Sequence, residues 1–233
     1  MKQKILAIDD ELAELNRFQQ VLGGNGFLIL TATSGQEALR LVNEHKPDLI
    51  ILDAFMPGMD GWQTCRCIRE FTDVPIIMVT SENPHEDDIV RCLEDGADEY
   101  LTKSLGNREL AARVRAALRR AGHFVPSEEK RKTVFTNRHL MVDVEGRKVT
   151  VRGRRLRLTP HEFRLLALLV ENADHVLSHQ QVLERIWGVE YADEVDYVRI
   201  YVSHLRKKIE PDPSRPKYIL TEPGIGYYFH TMS

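Results

Sequence analysis

The stretch LDAFMPGMDGW, residues 52–62, decides the fold of the first half of this 233-residue chain. The apolar run Leu49–Leu52 ends on a carboxylate, Asp53, and Pro57 and Gly58 then turn the chain away. A short run that is apolar throughout predicts a strand buried on both faces, which is typical of a parallel sheet. In such a sheet the functional cleft lies beyond the carboxyl ends of the strands, which is where Asp53 is expected.

Four further apolar runs accompany this one, and helical patterns lie between them. The five predicted strands are Ile5–Ile8, Phe27–Leu30, Leu49–Leu52, Ile76–Val79 and Tyr100–Leu101. The predicted helices are Ala13–Leu22, Gln36–Asn43 with Ser34 as its N-cap, Gln63–Glu70, Asp87–Leu93 and Arg108–Arg120. This alternation predicts a flavodoxin-like, doubly wound five-stranded parallel α/β sheet over residues 1–121.

Residues 122–132 are small and charged, and they predict a linker to a second domain at 133–233. An alternating stretch at 135–159, broken by glycines, predicts a small antiparallel sheet. The segment YILTEPGIGYYFH, residues 218–230, predicts two closing strands around a turn.

Three helices are predicted between these sheets. Thr159 with Glu162, and Ser178 with Gln181, have the spacing of capping boxes that start the first two. Apolar residues three and four apart mark a third helix over 195–209. Three helices closed by a hairpin predict an α+β winged helix-turn-helix.

The composition excludes some classes of protein. The chain is 42% hydrophobic and 29% charged, and no apolar run approaches the roughly 20 residues of a membrane helix. Its three cysteines are expected as free thiols in a reducing cytoplasm. The net charge is −6 over residues 1–123 and +3 over 124–233, which favours different partners for the two halves.

The predicted strand ends carry groups suited to phosphoryl chemistry. Asp9 and Asp10 follow the first strand and Asp53 follows the third, so three carboxylates are expected at one edge of the sheet. Like charges at that range require a cation, and hard oxygen ligands with open positions suit Mg²⁺. Thr80 and Lys103 follow the fourth and fifth strands and can bind the oxygens of a phosphoryl group.

These residues resemble the receiver domain of two-component response regulators. The motifs that carry the resemblance are Asp9-Asp10, LDAFMPGMDG at 52–61, VTS at 79–81 and GADEYLTK at 96–103. The second half resembles the DNA-binding domain of the OmpR/PhoB class, through LTPHEFRLLALL at 158–169, VRIYVSHLRKKIE at 198–210 and GIGYYF at 224–229. Within that class, residues 159–188 and 211–229 are most similar to KdpE-type regulators of potassium transport genes.

The resemblance implies a role for each cleft residue. A sensor histidine kinase is expected to phosphorylate Asp53, with Thr80 and Lys103 on the phosphoryl oxygens. The implied Mg²⁺ ligands are Asp10, Asp53 and the backbone carbonyl of Phe55, with Asp9 acting through water. The chain is not expected to be an enzyme beyond its own phosphorylation and slow dephosphorylation.

The resemblance also implies a switch and a homodimer. Thr80 is expected to move toward the phosphate and Tyr100 to turn inward behind it. This changes a face formed by the helix predicted over 87–93, the fifth strand and the helix predicted over 108–120, on which phosphorylated members pair. That dimer face comprises Arg91, Asp95, Asp98, Glu99, Glu109, Arg113 and Arg115. A solvated charged surface is the alternative interpretation.

The third helix of the second domain is the expected reader of double-stranded promoter DNA. On a helical wheel its outward face presents Asp196, Ile200, Ser203, His204 and Lys207, with Arg199 and Arg206 at the boundary. Ile200 can contact a thymine methyl group, and Lys207 suits phosphate. Ser203, His204 and Arg206 can reach bases or phosphates, and Thr221 of the wing a phosphate. RNA polymerase is the further partner expected of a promoter-bound regulator.

Two departures from the resemblance keep alternatives open. Ser104 stands where the class usually has proline, so a receiver that works without phosphorylation, as a constitutive DNA-binding regulator, remains possible. Glu82, two residues beyond Thr80, is expected near the entrance for the phosphoryl group, where a carboxylate can hinder or direct the hydrolytic water. The sequence therefore does not predict the lifetime of the phosphorylated state. A second rival, an aspartyl-phosphate hydrolase, needs an acid two residues after the nucleophile, and Phe55 at that position argues against it.

Overall fold

The structure is a computed structural model that describes residues 2–80, 88, 91–92, 95–122, 134–191 and 195–231. The chain divides into two compact units, Met1–His123 and Phe124–Ser233. Within the described ranges, no helix has both the length and the apolar character needed to cross a membrane. Most of the predicted linker and of the helix predicted over 87–93, together with Glu82, lies outside these ranges, and the predicted domain limits remain predictions.

The first unit is built on a five-stranded parallel sheet in the order β2-β1-β3-β4-β5. Its strands are β1 Lys4–Ile8, β2 Leu28–Ala32, β3 Leu49–Asp53, β4 Ile76–Thr80 and β5 Glu99–Thr102. The two central strands β3 and β4 are buried along their whole length, because their residues are apolar and helices cover both faces. The predicted receiver fold is therefore confirmed.

Four helices of the first unit divide between the two faces of the sheet. They are α1 Leu12–Gly24, α2 Gly35–His45, α3 Gly61–Arg69 and α4 Asn107–Gly122. Phe18 of α1 and Val114 of α4 pack on one face, whereas Val42 of α2 and Trp62 of α3 pack on the other. Ser34 caps α2 as predicted, since its side chain accepts the N–H of residue 37.

The described part of the second unit contains two small antiparallel sheets. The four-stranded sheet runs in the order β6-β7-β8-β9, with β6 Val134–Thr136, β7 Leu140–Asp143, β8 Lys148–Val151 and β9 Arg154–Leu156. The other has the order β10-β12-β11, with β10 Leu177–Ser178, β11 Ile219–Glu222 and β12 Gly226–Phe229. Strands β11 and β12 form the predicted wing, and β10 is an addition that its two-residue length hides from sequence patterns.

Three α-helices in the described part of the second unit lie between β9 and β11 along the chain, and β10 separates the first of them from the second. They are α5 Pro160–Glu171, α6 His179–Ile186 and α7 Val195–Ile209. Both predicted capping boxes are present: Thr159 and Glu162 exchange hydrogen bonds at the start of α5, and Ser178 and Gln181 at the start of α6. Each cap satisfies donors that a helix start would leave unpaired, so α5 and α6 begin where the sequence predicts.

Candidate functional site

Three carboxylates meet at the carboxyl end of the parallel sheet, because β1 and β3 are hydrogen-bonded neighbours. Asp53 ends β3, and Asp9 and Asp10 follow β1. One carboxylate oxygen of each lies within 4.8 Å of the others, with Asp9 and Asp53 buried and Asp10 exposed. The backbone N–H of Glu11 donates to Asp9 Oδ1 at 2.9 Å and orients that side chain. The structure thus brings together the three carboxylates expected at the strand ends.

Lys103 reaches into this acidic cleft from the loop after β5. Its Nζ lies 2.8 Å from Asp9 Oδ2 and 3.2 Å from Asp53 Oδ2. The backbone N–H of Lys103 donates to the carbonyl oxygen of Thr80 at 2.6 Å, which extends the pairing of β4 and β5 to the edge of the cleft. Thr80 itself is fully buried at the end of β4. The ammonium group of Lys103 therefore neutralises part of the negative charge of Asp9 and Asp53.

The protonation equilibria in the cleft reflect burial and mutual repulsion. Burial, followed by the negative charge of Asp9, raises the pKa of Asp53 to about 6, although Lys103 opposes the shift. Burial favours the neutral form of Lys103, but its hydrogen bond to Asp9 and the charge of Asp53 raise its pKa above the ordinary value. At neutral pH, Asp53 is therefore mostly ionised and Lys103 is charged.

The remaining donors fit a hard divalent cation. Asp53 Oδ1 is buried and makes no hydrogen bond to any described residue. Buried carboxylate oxygens are normally hydrogen-bonded or bound to a metal. The donors here are all oxygens and one side of the cleft is open through Asp10, which suits Mg²⁺ because that ion keeps several water ligands.

Two glycines explain the sharp turn that follows Asp53. Gly58 has a φ of +79°, a conformation that strains other residues. Gly61 begins α3 so close to β3 that a Cβ there would overlap the carbonyl oxygen of Asp53. Asp60 caps α3 by accepting the N–H of Gln63 at 2.7 Å. The turn therefore packs α3 directly against the strand end that carries the carboxylate.

The two expected switch residues are both buried in this state. Tyr100 lies on β5 and packs in the core that includes Met78 and Ala97. Thr80 is one strand away on β4. The side chain of Tyr100 therefore already lies inward in this structure. Its response to phosphorylation remains a prediction. The Lys103–Ser104 peptide bond is trans.

Two acidic residues of the predicted dimer face are buried inside the first unit. Asp98 is 3% exposed and accepts a hydrogen bond from Arg69 Nη2 at 2.6 Å. Glu99 is fully buried and lies 3.7 Å from Arg113 and 3.2 Å from Arg120. The prediction that Asp98 and Glu99 lie on an exposed surface is therefore wrong. Their arginine partners are distant in sequence, so a local pattern does not reveal the burial.

The other predicted members of the dimer face also have partners within the chain. Those contacts join Arg91 to Asp95 and the Trp62 ring, Asp95 to Arg66, Glu109 to Arg113, and Arg115 to Asn25. Arg115 contacts Asn25, the C-cap residue of α1. Pairing across a two-fold axis through Arg91, Asp95, Glu109, Arg113 and Arg115 remains a prediction.

In the second unit, α7 presents an outward face close to the predicted one. Its apolar stripe is buried, including Val202 and Leu205. The exposed residues of α7 that the sequence analysis placed outward or at the boundary are Asp196, Arg199, Ser203 and Lys207. Ile200 and Arg206 are half-buried.

His204 lies on the buried side of α7, contrary to the prediction that it faces outward. It is 4% exposed, and its ring centroid lies 6.3 Å from that of Tyr201. Tyr201 packs in turn on Trp187, with 5.2 Å between ring centroids. Because Tyr197 and Tyr201 both face the core, the buried stripe is wider than the aliphatic pattern indicates, and it includes position 204.

Arg206 is directed toward the wing rather than away from the unit. Its Nη2 donates to Thr221 Oγ1 at 2.8 Å, and its guanidinium lies 5.7 Å from the centre of the Tyr227 ring. The same guanidinium hydrogen bonds to the backbone of β11. In this structure Arg206 therefore joins α7 to the wing, and its contact with bases or phosphates remains a prediction.

Two residues that hold backbone segments beside the predicted site residues are not predicted by the sequence. Glu210, buried just after α7, accepts backbone N–H groups from Lys217, Tyr218 and Ile219 at 2.8–2.9 Å. Arg17 of α1 donates to the loop that carries Lys103. Both act on backbone groups, and the partners of Arg17 are far away in sequence, so no residue spacing predicts them.

Comparison with known families matches both units. Residues 5–115 match the family model described as response regulator receiver domain. Residues 153–229 match the model described as transcriptional regulatory protein, C terminal.

Individual relatives are similar over nearly the whole chain. The KDP operon transcriptional regulatory protein KdpE of Escherichia coli is 39% identical over 225 residues, 97% of this chain and 98% of that protein. The DNA-binding response regulator MtrA of Mycolicibacterium smegmatis is 38% identical, covering 97% of this chain and 96% of that protein. The crystal structure of DrrB, a Thermotoga maritima OmpR/PhoB homologue, is 30% identical with a TM-score of 0.51, covering 99% of this chain and all of that one. The identities to KdpE and MtrA differ by one percentage point, so they do not distinguish a KdpE-type regulator from an MtrA-type one.

Proposed function

This chain belongs to the response regulators of the OmpR/PhoB class, DNA-binding transcription regulators controlled by phosphorylation, and we propose that Asp53 is its phosphoryl acceptor. One observation supports this assignment most directly: Lys103 Nζ lies 3.2 Å from Asp53 Oδ2, beside Asp9 and Asp10. An ammonium group at this distance can pair with the oxygens of a phosphoryl group attached to Asp53.

The proposed reaction is a transfer from the phosphohistidine of a sensor kinase. A carboxylate oxygen of Asp53 attacks phosphorus, so that a P–O bond forms while the P–N bond breaks, and the electron pair remains on the imidazole nitrogen. Lys103 and the Thr80 hydroxyl then hold the phosphoryl oxygens. The chain accepts the group itself and later loses it slowly to water, and it turns over no separate substrate.

The acidic cleft would hold Mg²⁺ during this reaction. Its proposed ligands are Asp10, Asp53 and the carbonyl oxygen of Phe55, with Asp9 acting through a water molecule. When bound, the ion supplies positive charge that offsets the repulsion between the carboxylate and the incoming phosphoryl group.

The output of the proposed switch is binding to promoter DNA in the cytoplasm. We propose that Thr80 moves toward the phosphoryl group, that the packing of Tyr100 changes, and that phosphorylated chains pair. Helix α7 would then enter the major groove, with Arg199, Ile200 and Ser203 facing bases and Lys207 on phosphate. Thr221 of the wing would contact phosphate, and the bound dimer would engage RNA polymerase.

Intact mass after incubation with acetyl phosphate and Mg²⁺ tests the acceptor. Wild type should gain one phosphoryl group, and Asp53→Asn should gain none. Asp60→Asn is the matched control, because an asparagine still accepts the N–H of Gln63 that Asp60 accepts at the start of α3. An equal adduct on Asp53→Asn would overturn the assignment.

The alternative of a constitutive, unphosphorylated regulator rested on Ser104. The contacts of Lys103 with Asp9 and Asp53 are made despite that serine, which disfavours this alternative. A DNA titration distinguishes the two: phosphorylation should tighten operator binding by wild type and leave binding by Asp53→Asn unchanged. Equal affinity with and without the phosphoryl group would support the constitutive alternative.

A further inference from the structure

We propose that Arg17 is a positioning residue for phosphoryl transfer, holding the loop between β5 and α4 so that Lys103 points into the acidic cleft. The inference rests on the proposed function, and it deepens that proposal by naming the group that orients the cationic partner of Asp53.

Among the described residues, the contacts of Arg17 reach this loop, the first residue of α4 and its own helix. Nη1 donates to the carbonyl oxygen of Lys103 at 2.7 Å, and Nη2 to that of Leu105 at 2.6 Å. Nε donates to Asn107 Oδ1 at 3.0 Å, at the first residue of α4. Glu14, one turn earlier on α1, lies 3.1 Å from Nη1. The planar, forked guanidinium can hold several acceptors at once, which a lysine ammonium cannot do with the same geometry.

Within the loop, the backbone N–H of Leu105 donates to the carbonyl oxygen of Thr102 at 3.0 Å, which closes a turn around Lys103 and Ser104. This turn bond does not engage the N–H or the carbonyl oxygen of Lys103. Ser104 follows Lys103 and, unlike a proline, does not fix its own φ. Its hydroxyl lies 2.9 Å from Thr102 Oγ1, a contact between two freely rotating groups. The backbone of Lys103 is instead held on both sides, through its N–H on Thr80 and through its carbonyl on Arg17. These two bonds fix the start of the side chain whose ammonium group reaches Asp9 and Asp53.

Arg17 acts on the cleft only through Lys103. Among the described residues, its hydrogen-bond and ion-pair partners are Glu14, Lys103, Leu105 and Asn107, and none is a carboxylate of the cleft. The side chain of Arg17 is 24% exposed, so its hydrogen bonds are partly shielded from water. Removing Arg17 should therefore leave Asp9, Asp10 and Asp53 in place and loosen the loop that carries Lys103.

The test measures how fast Asp53 acquires a phosphoryl group from acetyl phosphate, followed by intact mass. Arg17→Met keeps the length of the side chain and removes the fork. It should slow the reaction at saturating acetyl phosphate at least tenfold, since misplacing a reacting group by about 1 Å can cost about a hundredfold. The Mg²⁺ concentration for half-maximal rate should stay within twofold of wild type, because the carboxylates are untouched. Arg17→Lys should be intermediate, and Glu14→Gln, which keeps the carbonyl contacts, should react like wild type.

A double variant separates positioning from a merely structural role. Lys103→Met removes the group on which Arg17 acts, so Arg17→Met with Lys103→Met should be no slower than Lys103→Met alone. A further tenfold loss in the double variant, or a wild-type rate in Arg17→Met, would overturn the inference. Thermal melting shows whether each variant is folded at the assay temperature. If Arg17→Met is not folded, Arg17→Lys replaces it in both the single and the double variant. If wild type itself gains no phosphoryl group, the proposed function fails instead, and that outcome is distinct.

Discussion

Arg206 donates two hydrogen bonds to the carbonyl oxygen of Ile219, from Nε at 3.0 Å and from Nη2 at 2.8 Å. The first residue belongs to α7, the helix proposed to enter the major groove, and the second begins strand β11 of the wing. One side chain therefore fixes the spacing between the two elements expected to touch DNA.

This relationship predicts that substitutions at two neighbouring residues, Arg206 and Lys207, change the salt dependence of DNA binding differently. Arg206→Met should weaken binding to every DNA sequence, because the wing is displaced, without changing the slope of log affinity against log salt concentration. Lys207→Ala should lower that slope by about 0.9, the value for one phosphate contact. Titrations of one operator duplex at several salt concentrations measure both. A reduced slope in Arg206→Met would show that its guanidinium binds phosphate after all.

Ile200 provides a separate prediction about base reading. It is half-buried on the outward side of α7, and its side chain can offer a base only apolar contact. Ile200→Ala should leave the salt slope unchanged and reduce the preference for thymine at one position per half-site, by less than the about 1–3 kcal/mol of a good bidentate contact. Binding to operators with single-base changes measures the preference. A uniform loss over all operators would instead assign Ile200 to the core of the domain.

The raised pKa of Asp53 predicts how stability of the first unit depends on pH. Because its pKa of about 6 lies above the ordinary 3.8, the folded state binds this proton more tightly than the unfolded state. The free energy of unfolding should therefore fall as pH rises from about 4 to 6. Asp53→Asn lacks this group, so above pH 6 it should be more stable than wild type, by up to about 3 kcal/mol. Urea unfolding in EDTA from pH 4 to 7.5 measures both proteins, and a gap independent of pH would contradict the prediction.

The close approach of α3 to the end of β3 makes Gly61 sensitive to substitution. Gly61→Ala adds a Cβ that overlaps the backbone of Asp53 and Ala54, so the strand end must shift. We expect a loss of about 1–3 kcal/mol in the free energy of unfolding and slower phosphorylation of Asp53. Gly23→Ala is the matched control, because a Cβ there meets nothing within 4 Å, and helix propensity should make it neutral or stabilising. Denaturant unfolding and the acetyl phosphate assay report the two effects.

The burial of Glu99 beside Arg113 means that a substitution of Arg113 should affect both the stability of the chain and the predicted homodimer. Arg113 lies 3.7 Å from Glu99 and 3.2 Å from Glu109, so Arg113→Glu brings three carboxylates together within one chain. It should cost about 1–3 kcal/mol of stability, since Arg120 still pairs with Glu99, and it should abolish dimers that depend on phosphorylation. Arg115, another member of the predicted dimer face, contacts the Asn25 side chain rather than an acidic group, so Arg115→Glu should weaken the dimers with little loss of stability. Sedimentation measures the dimers, and their persistence in Arg113→Glu would point to another face.

Local signals explain why most of the fold could be predicted. Short apolar runs mark the strands, and Ser34, Thr159 and Ser178 mark helix starts through hydrogen bonds within four residues. Element limits shift by a residue or two, as where β2 begins at Leu28 rather than Phe27. The carboxylates of the cleft were also accessible from the sequence, because parallel strands carry their end residues to a common edge.

The errors arose where burial depends on side chains from elsewhere in the chain. His204 was placed outward because the helical wheel counted aliphatic residues and omitted the aromatic cluster around Tyr201. Glu99 was placed on the surface because Arg113 and Arg120 belong to a later helix. The contacts of Arg17 with Lys103 and Leu105 span more than eighty residues, beyond the reach of any periodic pattern.

Strand β10 has a consequence for protein engineering. It joins the start of α6 to the wing, since Leu177 pairs with Tyr227 and Ser178 with Gly226. A graft of α7 alone into a related regulator would separate Arg206 from its partners on β11. A graft of α7 with the wing would leave β12 paired to the β10 of the recipient. The smallest transplantable unit of DNA specificity is therefore the segment from β10 to the end of β12, exchanged as one block.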